Sequence, residues 1–598
     1  MCGIVGYYGI REAQPLLLTC LKQLEYRGYD SAGIAISEHN SQEPNTSKKI
    51  TTIKSVGNID TLVKENSQEV QGNKGIAHTR WATNGKVTKV NSHPHISYNK
   101  KVTIVHNGII ENYSELKEFL EKKNITSISE TDTEIIANLF AYHLETSNVE
   151  KAIQTTLNKL KGSFAVVFLI KDEEGLFFAK RESPLVIGHG SHEMFLASDV
   201  PAFLEHTNIV TYIEDNQYGI ITKKGAQIWS LGKTGVYTEE HIKKEKIMWN
   251  LEEAKKGTYP HFMIKEIHEQ EKTIKKAIMH PPHVIEKALS ILKKAVGVFF
   301  VGCGTSYHAA VSASYLFTHI AKQHVNVVIA SEFSNYHEFL TDKTVMVVLS
   351  QSGETADVLE AMKTAQEKGV KTIAITNVMG STVMRLADHT LLMNAGPEIS
   401  VLSTKSYTSQ LSLLTYLAYA CVGKKNEGIK QIMYAQNHVK TLIQENGSNI
   451  KKIAEKIHTA KSLFIIGRDL AYPTALEAAL KIKEVSYIHA EGFPGGELKH
   501  GTIALIEKNT PCIVINTTAT ESRIQANADE LKARGAYLIG VSETENDIYD
   551  EWIKIKDTGL SSPISIIIPF QLLAYYLALA KKCDPDKPRN LAKSVTVK

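Results

Sequence analysis

Apolar and polar positions fall into two textures along the chain. Up to about residue 240 the apolar runs are short, as in Ile4-Val5 between glycines, Gly33-Ile34-Ala35-Ile36, Ile50 to Val56, Lys101 to His106, Ser163 to Ile170 and Gly175 to Ala179. Such runs predict strands. Helical spacing marks Ala13 to Leu24, Tyr113 to Lys122 and Thr133 to Glu145. Strands with interspersed helices predict sheet layers covered by helices.

From Val296 the texture becomes strand, long helix, strand, the pattern of a parallel sheet with helices on both faces. It occurs twice. Val298 to Gly302 matches Leu463 to Gly467; Thr344 to Leu349, then Lys371 to Thr376, matches Thr510 to Ile515, then Ala536 to Val541. The two copies fit domains 275–425 and 445–585. Charged residues between Thr238 and Gly257 read as a connector with some helix, and His261 to Ile267 leads into a helix. The most apolar run, Ile564 to Ala580, is too short for a membrane span and reads as a buried strand end followed by a core helix.

Composition narrows the partners. The chain has 598 residues, 68 basic against 64 acidic, and a net charge of +4, too balanced to imply a nucleic-acid or membrane partner. Its six cysteines are scattered singly, which argues against a structural zinc site, a disulfide framework or secretion. A cytoplasmic protein is expected.

Candidate chemistry begins at Met1-Cys2-Gly3-Ile4-Val5-Gly6. With the initiator methionine removed, the Cys2 thiol shares a carbon with a free α-amine, so the nucleophile carries its own base. Three polar clusters follow. In His78-Thr79-Arg80-Trp81-Ala82-Thr83 the arginine fork suits a carboxylate, and equally a surface salt bridge with Trp81 in the core. Asn107-Gly108 offers an oxyanion hole, or a plain turn. In Glu130-Thr131-Asp132-Thr133-Glu134, Asp132 pairs with a substrate ammonium, or Thr131 or Asp132 caps the next helix. A His-x-His at His93 and His95 lacks a third metal ligand, and Gly232-Lys233-Thr234 lacks the spacing of a phosphate loop.

Together with Tyr26 to Ser31, these motifs resemble the N-terminal-cysteine glutamine amidotransferase domain, a layered α-β-β-α N-terminal-nucleophile fold. The resemblance implies that Arg80 and Asp132 hold glutamine, that Asn107 and Gly108 form the oxyanion hole, that Thr83 and His93 line the pocket and that Trp81 is the gate. The family often has histidine where this chain has Asn84.

In the second half, Gly302-Cys303-Gly304-Thr305-Ser306 and Ser350-Gln351-Ser352-Gly353-Glu354-Thr355 lie past strand ends and open helices. Backbone N–H groups and hydroxyls there suit a phosphate. The loops of the second copy, Arg468-Asp469-Leu470 and Asn516 to Thr520, match poorly and predict that it no longer binds the same phosphate. These features resemble the sugar isomerase domain, present twice, so the whole chain is expected to be α/β with a glutaminase domain (2–240), a linker (241–274), two doubly wound parallel-sheet domains and a tail (586–598).

The pairing resembles the family that aminates and isomerises fructose 6-phosphate. It implies glutamine and fructose 6-phosphate as substrates, a homodimer, and neither cofactor nor metal. Thr305, Ser306, Ser350, Gln351, Ser352 and Thr355 would hold the sugar phosphate. Lys593, in the tail Pro588 to Val597, would form an imine. His500, from the neighbouring subunit, would open the ring. Glu484 would move a proton between C1 and C2, with Lys481 one helical turn before it. Ser334 and Thr502 replace a usual arginine and proline.

Overall fold

The computed structural model describes residues 2–38, 49–66, 68–82, 85–231, 237–247, 253 and 255–596. The chain divides into two compact units, Met1–Leu251 with Ala592–Lys598, and Glu252–Leu591.

In the first unit, strand Gly3–Tyr8 runs antiparallel between Lys74–Arg80 and Met194–Ala197, with Val5 opposite both Ala77 and Ala197. Outward from these lie Ser31–Ser37 and Ile50–Val56 on one side, and Val186–His189, Ile209–Tyr212 and Glu245–Lys246 on the other. A second antiparallel sheet is centred on Val102–Ile110, Gly162–Ile170 and Leu176–Arg181. Alternation along the strands sorts the side chains, since successive residues point to opposite faces. Ile4, Ile76 and Leu196 of the first sheet and Val105, Val167 and Phe178 of the second share one apolar layer. The opposite face of the second sheet, with Ile104, Val166 and Phe168, packs on Ile136 and Phe140 of helix Asp132–Leu144 and on Ile153 and Leu157 of helix Val149–Lys159. Helix Ala13–Lys22 covers the first sheet with Ala13, Leu17, Cys20 and Leu21, one stripe at helical spacing. The result is the layered α-β-β-α arrangement.

The charged stretch read as a connector begins differently. Tyr237–Glu239 pairs with Gly225–Leu231, and Glu245–Lys246 with Ile209–Tyr212. Edge strands tolerate polar residues because one side faces solvent, so charge there hides a strand.

The second unit holds two all-parallel five-stranded sheets with the same strand order. The first is Asn326–Ile329, Gly297–Gly302, Thr344–Ser350, Lys371–Thr376 and His389–Leu392; the second is His489–Pro494, Ser462–Gly467, Pro511–Ile515, Tyr537–Ser542 and Glu551–Lys554. Val298 and Phe300 of one sheet and Leu463 and Ile465 of the other face a common core. Their neighbours Phe299 and Val301, and Phe464 and Ile466, face separate outer layers. Helices fill the common core: Lys405–Cys421, Ala471–Ser486, Ser562–Ala580 and the 33-residue Lys425–Ile457, about 50 Å long.

Ile564 to Ala580 contains no strand end. It lies within the single helix Ser562–Ala580, with Pro569 inside it. Its apolar residues do not alternate, and a run of that length surrounded by packed helices is satisfied only as a helix. It is the one described helix long and apolar enough to cross a membrane, yet 83% of its apolar window is buried in the protein.

Candidate active sites

Cys2 stands at the head of the central strand of its sheet, half-buried. Its Sγ accepts a hydrogen bond from Trp81 N at 3.2 Å and lies 3.4 Å from Trp81 O. The Cys2 carbonyl accepts from Asn107 Nδ2 at 2.9 Å and from Arg27 Nε at 3.2 Å. Arg27 is buried and paired with Asp199 at 3.2 Å, which also accepts from Tyr26 OH at 2.6 Å. Burial pushes the Cys2 thiol up, opposed by the Trp81 N–H bond and by the charges of Arg80 and Arg27.

Asn107 is oriented from behind. His78 Nε2 lies 3.1 Å from both Asn107 Oδ1 and His106 O. Both are acceptors, so Nε2 carries the proton and the Asn107 amide nitrogen is turned towards Cys2. That nitrogen also donates to Ser198 Oγ at 3.0 Å, and Ser198 Oγ accepts from Ile4 N at 2.7 Å. Burial lowers His78 to about 3, keeping it neutral. His93 stacks on the His78 ring at 3.8 Å and meets His95 edge-on. Its Nδ1 accepts from His106 N at 3.4 Å and its Nε2 lies 3.5 Å from Thr133 Oγ1. His93 therefore stands beside His78 and His106, engaged with protein on both ring nitrogens.

Gly108 has φ +131°, and a Cβ there would lie 2.1 Å from Ser163 O, so glycine is required. Arg80 is buried and donates to Gly85 O and Lys86 O, each at 3.2 Å. Burial lowers Arg80, and Cys2, Asp30, Asp132 and Glu130 oppose that shift. Asp132 is the first residue of its helix, and its Oδ2 accepts from Ile110 N at 2.9 Å. The cap position falls on Thr131, whose side chain makes no capping bond. The carboxylate is thus turned to the end of strand Val102–Ile110 rather than to the helix start. Trp81 meets the Tyr29 ring edge-on at 5.5 Å. Thr83, Asn84 and Gly232-Lys233-Thr234 lie outside the described residues.

The second site lies at the carboxyl ends of Gly297–Gly302 and Thr344–Ser350, adjacent strands whose chain continuations diverge. Ligands of open parallel sheets occupy this switch point. Ser350 Oγ accepts from Gly353 N at 3.0 Å and lies 3.2 Å from Thr355 Oγ1; Ser352 Oγ accepts from Glu354 N at 3.2 Å. Gln351 O accepts from Asn377 N at 3.1 Å. Ser306 Oγ accepts from Gln410 Nε2 at 3.0 Å, which leaves its own O–H for an anion.

Beside these loops runs the face of helix Ala471–Ser486, from the second copy. Lys481 Nζ lies 2.7 Å from Glu484 Oε2 and 3.3 Å from Glu477 Oε1, and donates to Thr305 Oγ1 at 2.9 Å. Thr305 Oγ1 donates to Glu477 Oε1 at 3.0 Å, and His308 Nδ1 lies 2.8 Å from Glu477 Oε2. Glu477 and Lys481 are fully buried. Burial works against the Lys481 charge, yet Glu477 and Glu484 hold its pKa above the ordinary lysine value. The Thr305 hydroxyl is committed in both directions to this chain of charges.

Comparison with known proteins agrees with both halves. A glutamine amidotransferase domain model matches residues 78–205, and a SIS domain model matches twice, at 291–420 and 456–581. The glutamine–fructose-6-phosphate aminotransferases (isomerizing) of Thermococcus kodakarensis and Pyrococcus horikoshii are 44% and 45% identical to this chain, over the full length of each. The chain belongs to the glutamine–fructose-6-phosphate aminotransferase family. The C-terminal domain of glucosamine-fructose-6-phosphate aminotransferase from Francisella tularensis, 34% identical, covers 56% of this chain and 99% of its own, with a TM-score of 0.51.

Within this aminotransferase the structure gathers Cys2, Asn107 and His93 with Trp81 and Arg80 in the first unit, and Thr305, Lys481 and Glu484 in the second. His500 is exposed at the end of the turn Gly495–His500, and no contact among the described residues joins it to the Lys481 cluster. Lys593 is half-buried in the terminal segment that groups with the first unit. Sequence reasoning assigned no role to His78, Ser198, Arg27, Glu477, His308 or Gln410. The signal available was weak: Glu477, Lys481 and Glu484 share one helix face, and His308 follows a helix-opening loop. Ser198 carries no motif; it follows the strand Met194–Ala197, whose pairing with Gly3–Tyr8 sets it beside Ile4, and packing of the second sheet on the first brings Asn107 to it.

Proposed function

We propose that the chain converts fructose 6-phosphate and glutamine to glucosamine 6-phosphate and glutamate, the step that opens amino-sugar synthesis. The observation that carries the glutaminase half is the Cys2 thiol held 3.2 Å from Trp81 N beside an amide, Asn107, whose nitrogen is aimed at the same residue. In this reading the Cys2 α-amine, exposed by loss of Met1, takes the thiol proton. The thiolate attacks the glutamine side-chain carbonyl, and Asn107 and the Gly108 N–H receive the oxyanion. The proton leaves with ammonia, and water then releases glutamate from the thioester. Arg80 and Asp132 take the carboxylate and ammonium of glutamine, with Trp81, Thr83 and His93 around the pocket.

Ammonia passes to the second site. There Ser306, Ser350, Gln351, Ser352 and Thr355 bind the phosphate of fructose 6-phosphate. His500 of a second copy opens the ring, which makes the enzyme a homodimer. Lys593 forms an imine at C2, and ammonia displaces it. Glu484, 2.7 Å from Lys481, carries a proton from C1 to C2 and leaves the aldose amine. The reading places the enzyme in the cytoplasm, with no nucleic-acid or membrane partner.

The test supplies glutamine labelled with heavy nitrogen in the side-chain amide, fructose 6-phosphate and excess unlabelled ammonium, and weighs the product. Labelled glucosamine 6-phosphate is expected. Glutamate without amino sugar would overturn the acceptor half, and unlabelled amino sugar would overturn the protected transfer.

A further inference from the structure

One half-buried group of the second site takes no part in this scheme. His308, whose side chain is 15% exposed, faces Glu477, which is fully buried. The geometry points to His308 as a positioning residue for the isomerisation, holding Glu477 so that the charge of Lys481 stays on Glu484. The inference rests on the proton-carrying role proposed above for Glu484.

One chain of contacts links the charges of this cluster. From His308 it runs to Glu477 at 2.8 Å, through Thr305 at 3.0 Å to Lys481 at 2.9 Å, and on to Glu484 at 2.7 Å. Two carboxylates share one ammonium. Glu477 Oε2 has only acceptor character, so His308 Nδ1 carries the proton and donates. With His308 in place, one Glu477 oxygen is satisfied by the imidazole and the other by the Thr305 hydroxyl. Lys481 then approaches Glu484 more closely than Glu477, 2.7 against 3.3 Å.

Remove the imidazole and Glu477, without access to water, has only Thr305 and Lys481 to stabilise its charge. Lys481 is drawn towards it, and Glu484 loses counter-charge. A carboxylate losing a cationic neighbour holds its proton to higher pH. Among the described residues, Tyr307, whose ring lies 5.9 Å from that of His308, Tyr472 beside Tyr307, and Tyr407, kept protonated by burial and by Glu477, also face this region. None of the three supplies a compensating cation.

The test uses the full-length enzyme with His308→Ala and His308→Gln, and follows kcat/KM for fructose 6-phosphate against pH at saturating glutamine. The acid limb moves up by about one pH unit in His308→Ala, the lower end of the effect of one lost opposite charge. In His308→Gln, which keeps an N–H donor in the same direction, it moves less than half as far. Thermal melts and glutamine hydrolysis, measured alongside, report folding; if the alanine variant does not fold, the glutamine variant decides by the direction of its shift. A rate that falls uniformly across pH, or an acid limb that stays in place or moves down, overturns the inference. Glu484→Gln separates the two levels: an inactive Glu484→Gln with an unmoved His308 profile defeats only the role of His308. An active Glu484→Gln defeats the assignment of Glu484 and this inference with it.

Discussion

The two copies of the parallel-sheet domain carry different polar groups at equivalent places. Pairing Gly302 with Gly467 sets Thr305, Ser306 and His308 of the first copy against Leu470, Ala471 and Pro473 of the second. Further along the same helices, Glu477, Lys481 and Glu484 of the second copy stand where the first has Ser312, Leu316 and His319. The first copy supplies hydroxyls and a loop; the second supplies buried charge. Because the two helices pack on one another, the charged face of one lies against the hydroxyl loop of the other. Between the same two regions His319 lies against Asp469 at 3.1 Å, half in solvent.

The loops that follow Thr344–Ser350 and Pro511–Ile515 show the same contrast. Gly353 has φ +66°, and a Cβ there would lie 2.2 Å from Ser381 Oγ. Its counterpart in the second copy is Ala519, within the helical turn Thr518–Thr520. A loop that must turn through a left-handed residue to present its N–H groups has become an ordinary turn.

The largest effect on this contrast is expected at Lys481. Lys481→Met leaves two carboxylates facing each other without their ammonium, which costs about 3–5 kcal/mol of stability. It also lowers glucosamine 6-phosphate formation by more than about a hundredfold; denaturant unfolding and product assay read the two. Next comes a matched pair at the strand ends. Ser350→Ala raises the KM for fructose 6-phosphate about tenfold, the loss of one hydrogen bond to a charged group, while Asn516→Ala at the equivalent place changes it by less than about twofold.

The first unit sharpens the contrast from another side, because the histidines buried beside Asn107 are neutral. Burial lowers His78, His93, His95 and His106 below the ordinary histidine value. A histidine depressed on folding contributes its full stability above the unfolded value of ~6.5, and that contribution falls as pH drops towards the folded value. For His78, at about 3, the loss is about 1.4 kcal/mol per pH unit below ~6.5. Melting of the first unit is therefore expected to move steadily down between pH 6.5 and 4. The smallest effect belongs to the exposed pair His319–Asp469: His319→Gln changes stability by no more than about 1 kcal/mol and leaves the KM for fructose 6-phosphate in place.

Much of the architecture was legible because it rests on periodicity. The strands Val298 to Gly302 and Leu463 to Gly467 are apolar on both faces, as strands covered by helices on both sides must be. The duplication follows from their spacing. What stayed hidden is what periodicity does not encode. Polar edge strands such as Glu245–Lys246 look like linker, and the apolar run at Ile564 looks like strand and helix alike until its packing is known. At the sites, residues on one local segment were readable together, as Lys481 and Glu484 are one turn apart. Partners brought by the sheets were not: His78 meets Asn107 across the packed faces of two sheets, and Ser198 meets Ile4 where its segment leaves the strand paired with Gly3–Tyr8. Glu477 looked like any helical glutamate until Thr305 and His308 of the other copy closed on it.

The central claim is that two copies of one domain build a single sugar-phosphate site. Its most direct test is calorimetric titration of fructose 6-phosphate into the full-length Cys2→Ala enzyme. The account predicts one site per chain, weakened by Ser350→Ala and indifferent to Asn516→Ala. Two sites per chain, or one that Asn516→Ala removes and Ser350→Ala spares, would contradict it.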